Sequence, residues 1–159
     1  MIRRLLLAYS NTRPVKVISD GGRRYLERYF VCSVFGVRVY LHRFVDSDPD
    51  RGLHDHPWRW AASLVLAGWY WEQTRQSGGP RRVRWFNLLT GDTFHRVLLP
   101  VKLDEVWTLF IVPARDVKEW GFLRDKGQMG QVFTPYDYGV AGKPARWWEH
   151  APRGREIRG

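Results

Sequence analysis

Three of the five histidines in this 159-residue chain, His54, His56 and His95, stand where they could share one ion. The first two lie in Arg51-Gly52-Leu53-His54-Asp55-His56-Pro57-Trp58. On a strand, residues i and i+2 project from the same face, so both imidazoles can reach one point. Pro57 cannot donate to a ladder, and it ends the strand just past the second histidine. His95 opens another strand-like segment, soon after Gly91-Asp92. Two imidazoles from one strand and one from a neighbour form a facial set with coordination positions left open. That arrangement suits a divalent transition metal in metal-assisted chemistry.

Other reactive types gather near these three. Glu72 and Tyr70 are candidates for handling a proton. Glu72 is also a candidate fourth ligand, ahead of Asp55, which alternates to the opposite face. Arg43, Arg59 and Arg96 flank the ligand segments and could bind a carboxylate or phosphate on a substrate. Arg96, however, alternates away from His95 if its strand is regular. Trp58, Trp60, Trp69, Trp71, Tyr70 and Trp107 read either as barrel packing or as a flat apolar pocket, with Trp58 and Trp107 the substrate-facing candidates. His42 lies on the face opposite Val37, Val39 and Leu41. It is a fourth ligand, a donor behind the ligands, or a half-exposed histidine beside Arg43. His150 falls in the tail and is expected in solvent.

Strands must position these groups. Residues 2–9 place Ile2, Leu5, Leu6 and Tyr9 at helical spacing, for a short amphipathic helix or a strand lead-in. Residues 37–42 alternate with period two. Ala62 to Glu72 reads as a long or bent strand with its bend at Gly68. Ser77-Gly78-Gly79-Pro80 is a turn, and Arg81 to Leu89 reads as the next strand. After Thr90-Gly91-Asp92 come strands at 94–99, at Trp107 to Val112 (apolar on both faces, hence central) and at Lys118 to Leu123. Short strands punctuated by glycine and proline predict an all-β barrel or sandwich. The expected organisation is one domain over 1–159, with a core at about 25–138 and a Gly/Pro/Arg-rich tail at 139–159 that wraps the barrel or frays.

The motifs resemble the cupin superfamily. Gly52, His54, His56 and Gly68, twelve residues after His56, are similar to its first motif; Gly91 and His95 are similar to its second. The chain also looks like a group of small bacterial and phage cupin-like proteins, through His54-Asp55-His56-Pro57-Trp58, the strand Gly68 to Glu72, His95-Arg96-Val97 and Glu119-Trp120-Gly121-Phe122. The resemblance covers roughly residues 37–123. It implies a double-stranded β-helix, or jelly roll, with short N- and C-terminal extensions, and a homodimer formed through sheet edges. Two departures stand out. Ala61 occupies the position where the family carries a glutamate ligand, and the gap from Gly91 to His95 is one residue longer. The implied site is therefore three-histidine, as in the thiol dioxygenases among cupins, or completed by another carboxylate. Iron is the leading metal, with Zn, Ni, Mn and Cu as alternatives.

Composition narrows the class. Hydrophobic residues make up 44% of the chain and aromatic residues 15%, a globular composition with an unusual aromatic load. The single cysteine, Cys32, excludes an intrachain disulfide and reads as a buried thiol in a reducing cytoplasm. No stretch suggests a signal peptide or a membrane span. A net charge of +10 admits nucleic acid as a partner, but the arginines are scattered rather than striped, which favours attraction of small anions. Three functions compete: a metal-dependent oxidoreductase acting on a small anionic or aromatic substrate; a non-catalytic module for a sugar or small ligand; and a basic protein associated with nucleic acid or an assembly. Sugar-nucleotide epimerases also use the barrel, but the paired ligands argue against that chemistry.

Overall fold

The computed structural model of the protein describes residues 1–140 and 142–158. A helix, Ile2–Asn11 (α1), opens the chain. The strands then run Val15–Asp20 (β1), Arg23–Val34 (β2), Val37–Phe44 (β3), Leu53–His54 (β4), Trp60–Ala67 (β5) and Tyr70–Thr74 (β6). They continue with Arg81–Val83 (β7), Phe86–Thr90 (β8), His95–Leu98 (β9), Val106–Pro113 (β10), Gly121–Asp125 (β11) and Gln131–Pro135 (β12). Two antiparallel six-stranded sheets result, in the orders β1-β2-β3-β10-β5-β8 and β12-β11-β4-β9-β6-β7. None of the described helices is long and apolar enough to cross a membrane.

β1, β2 and β3 follow one another in the first sheet, and from β4 onward most connections cross between the sheets. The expected bend at Gly68 is a change of sheet. Its φ is +84°, and a Cβ there would sit 3.1 Å from Val106 Cγ2. The segment expected as one strand from Arg81 to Leu89 is divided the same way: β7 pairs with β6 and β8 with β5. The apolar strand at 106–113 is central, flanked by β3 and β5.

Cross-strand register fixes which side chains face inward. Arg28, His42, Thr108 and Val65 lie opposite one another along one row of the first sheet. On one side of that row Leu26, Phe44 and Val106 pack with Tyr25, Val65, Tyr70, Val83 and Val97. On the other, Tyr40 and Phe110 pack with Trp58, Ala61, Leu89 and Val112. Burying each such large apolar side chain contributes about 1.5–3 kcal/mol.

The outer face of the first sheet is covered as well. Val15, Tyr29, Leu41, Ala67 and Trp107 form a third cluster, closed over by Leu6 of α1 and Ile157 of the tail. The tail therefore docks. Val15 donates to the Pro152 carbonyl at 2.9 Å, and Arg158 donates to Tyr29 Oη and Ser10 Oγ. Trp148 stacks on Phe30 at 4.3 Å between centroids, while Trp147 stacks on Tyr40. Cys32 is half-buried rather than buried, beside a bulge in β2.

Candidate metal centre

The short strand β4 lies between β11 and β9, and its pairing sets His54 directly opposite His95. Gly52 makes this approach feasible: its φ is +103°, and a Cβ would fall 2.1 Å from the Leu123 carbonyl oxygen. Gly91 acts similarly before β9, since a Cβ there would meet the Trp58 carbonyl at 2.2 Å. The motif glycines are thus packing requirements of the strands that carry the histidines. His56 lies beyond the end of β4, where Asp55 is pinned through its backbone to the Gly121 carbonyl and through Oδ1 to the Gly121 N–H.

The three imidazoles converge. Ring centroids are 4.6 Å apart for His54–His95, 5.0 Å for His56–His95 and 5.3 Å for His54–His56. One nitrogen from each lies within 4.8 Å of the other two. His56 Nδ1 and His95 Nε2 are buried without a protein hydrogen-bond partner, which is costly unless something occupies the space between the rings. Burial, followed by the neighbouring His95, pushes the pKa of His54 and His56 well below the ordinary imidazole range. Neutral imidazoles facing one point are the donor set of a transition-metal site.

The groups behind the ligands are equally ordered. Glu72, fully buried, accepts from His95 at Nδ1 (2.8 Å) and from Asn87 Nδ2 (2.6 Å) on one oxygen, and from Arg81 Nε (2.8 Å) on the other. Burial alone would raise its pKa, but its bond to His95, with Asn87 and Arg81, outweighs that and holds the carboxyl below its usual range. Glu72 therefore stands on the far edge of the His95 ring and leaves Nε2 to the cluster, which corrects the expectation of a fourth ligand. Asp48, which sequence reasoning missed, sits 3.7 Å from His54 Nδ1 while accepting from the Val97 N–H. Its only sequence signal is a place in an acidic loop before the motif.

The histidines line a cavity of about 500 Å³ between the sheets. Tyr70 and Trp58 also line it, and His42 lies inside it, buried and stacked on Phe110 at 4.6 Å, not half-exposed. The other expected contacts fall elsewhere. Trp107 is fully buried on the outer face against Tyr29, because its strand alternates away from the cavity. Arg43 points to the same outer side and pairs with Glu105 and Glu27. Arg96 turns outward to Gln73 and Asp50. Arg59 and His150 are exposed. Ala61, at the family's glutamate position, is packed among Trp58, Leu89 and Phe110.

No protein-family model and no curated protein matches the sequence. Solved structures do match the fold. A cupin-2 domain protein from Rhodospirillum rubrum aligns at TM-score 0.52 and 16% identity, over 67% of this chain and 72% of its own. A structure reported for DMSP lyases aligns at 0.60 and 13%, over 76% and 67%. The Fe(II) form of HppE aligns at 0.51 and 10%, over 63% of this chain and 56% of that enzyme. Likeness at these identities speaks for architecture, and the architecture is that of a cupin.

Proposed function

We propose that the protein is a metal-dependent cupin of three-histidine type, an oxidoreductase of dioxygenase kind acting on a small molecule held between the sheets. The observation that carries this reading is the triad His54, His56 and His95, mutually close, with His54 and His56 held neutral by burial and one buried nitrogen on each of His56 and His95 left without a partner. A divalent ion, with iron as the first candidate, would supply Lewis acidity and open positions for substrate and dioxygen. The presence of the Fe(II) enzyme HppE among the matched folds is in keeping with that choice. The chain's own residues orient and enclose. Glu72 fixes the His95 ring from behind through its bond to Nδ1, and Asp48 stands 3.7 Å from His54 Nδ1. Trp58 and Phe110 provide an apolar wall. Tyr70, whose pKa burial pushes up to about 12, keeps its proton and can donate it to a bound group.

The test is anaerobic purification and reconstitution with Fe(II), followed by elemental analysis. About one equivalent is expected, with loss in His54→Ala and His95→Ala. Less than about a tenth of an equivalent in the wild-type protein would overturn the metal assignment. The rival reading, a binding module without catalysis, predicts ligand binding that is unchanged when His54→Ala abolishes metal uptake.

A further inference from the structure

Across the cavity, the first sheet presents two cations side by side. Lys16 on β1 lies directly opposite Arg28 on β2, and Arg28 directly opposite His42 on β3. All three line the cavity. Like charges directly opposite on one face of a sheet repel, and sequences ordinarily avoid the pairing or neutralise it. Four other arginines near the site are neutralised: Arg43 by Glu27 and Glu105, Arg51 by Asp20, Arg81 by Glu72 and Arg96 by Asp50. Arg38 and Arg115 also line the cavity without an ion pair among the described residues, Arg38 over the Trp148 ring at 5.2 Å and Arg115 exposed. Among the described residues, no carboxylate lies within ion-pair distance of Lys16 or Arg28.

Arg28 is nevertheless positioned. Its Nε donates to His42 Nε2 at 3.0 Å, and its guanidinium lies over the Tyr40 ring at 5.4 Å. An acceptor nitrogen on a buried histidine orients a guanidinium without cancelling its charge, and among the described residues the remaining N–H donors meet no acceptor. The cavity's carboxylates are engaged elsewhere: Asp48 with the Val97 N–H beside His54, Asp55 with Lys118, and Asp116 with Lys143. Phe110 stacks on His42 and also contacts His56 at 5.9 Å, so an apolar ring separates the cationic end from the triad.

We infer that Lys16 and Arg28 form an oxyanion subsite, which binds the carboxylate, phosphonate or phosphate of a small organic acid whose apolar body lies on Phe110 and reaches the histidine triad. This inference deepens the proposed function by naming its substrate class, and it gives the anion role to Lys16 and Arg28 in place of Arg43 and Arg96. His42 is a positioning residue that holds the guanidinium fork toward the cavity.

The test uses metal-free protein, so it is independent of whether the triad holds an ion. Inorganic phosphate and propionate are titrated separately, following tryptophan fluorescence and thermal midpoint. Saturable binding of at least one anion, with a raised midpoint, is expected. Arg28→Met and Lys16→Gln should each weaken that binding at least about tenfold, while Arg96→Gln leaves it unchanged. Preference for phosphate or for propionate identifies the substrate's acid group. Lys16→Gln relieves repulsion and breaks no hydrogen bond among the described residues, so it should unfold no earlier than wild type without anion. Should Arg28→Met fail to fold, Lys16→Gln decides alone. No saturable binding of either anion, or wild-type affinity in folded Lys16→Gln and Arg28→Met, would overturn the subsite and leave the metal assignment untouched.

Discussion

Replacing Glu72 by alanine isolates what the carboxylate behind His95 does. In the native protein its two oxygens satisfy His95 Nδ1, Asn87 Nδ2 and Arg81, and none of its surface reaches solvent. Alanine leaves the His95 N–H and one N–H of the Asn87 amide without an acceptor, at about 1–3 kcal/mol for each, while the amide keeps its longer bond to Tyr70 Oη at 3.3 Å. Arg81 adds little, because 51% of its side chain is exposed and can turn to water. The void left by the shortened side chain adds to the loss. The two stranded donors and the void together set the expected destabilisation at about 3–5 kcal/mol. Urea unfolding of metal-free protein, followed by tryptophan fluorescence, measures it. Glu72→Gln, which keeps one acceptor but sets an amide against Arg81 or His95, should lose about 1–3 kcal/mol. Metal affinity of the folded glutamine variant should fall about 10–100-fold, since His95 loses its charged orienting partner. An alanine variant within about 0.5 kcal/mol of wild type would refute the reasoning, because it would mean that the network is not formed in solution.

Two further outcomes follow from the same geometry. Burial pushes His42, His54 and His56 well below the ordinary imidazole pKa, so the folded state holds them neutral while the unfolded chain takes up protons near pH 6.5. Stability is therefore complete above that pH and lost as pH falls toward the folded values, by about 1.4 kcal/mol per pH unit for each histidine; urea midpoints that stay flat from pH 7 to 5.5 would contradict the burial of the three rings. Trp107→Ala should cost about 3–5 kcal/mol, yet leave anion affinity unchanged, because the ring packs under α1 and the tail rather than in the cavity; calorimetric unfolding together with phosphate titration separates the two effects.

Local rules made part of this protein readable from its sequence. The spacing of His54 and His56 and the glycines at 52, 68 and 91 depend on backbone geometry over a few residues, so they pointed to the histidine cluster and the strand-rich architecture. The strand, however, ends at His54 rather than at Pro57, and it is the bonds of Asp55 to Gly121 that bring His56 to the other two. Facing was legible only where one side of a strand meets water. In β2, β3 and β10 both faces are covered, the inner by the second sheet with Trp147 and Trp148, and the outer by α1 and the end of the tail around Ile157. Apolar alternation therefore could not say that His42 points inward, or that Arg43 and Trp107 point outward. Glu72 was found as a reactive residue, but its role behind His95 depends on β6 pairing with β9 and on Asn87 arriving from the other sheet. The Lys16–Arg28 row needs the register of three strands and, among the described residues, no carboxylate within ion-pair distance, neither of which a single segment contains. Sequence determined which residues could act and where the chain turns; long-range strand pairing decided which of them meet, because two groups share a cavity only when register and covering elements leave them the same face.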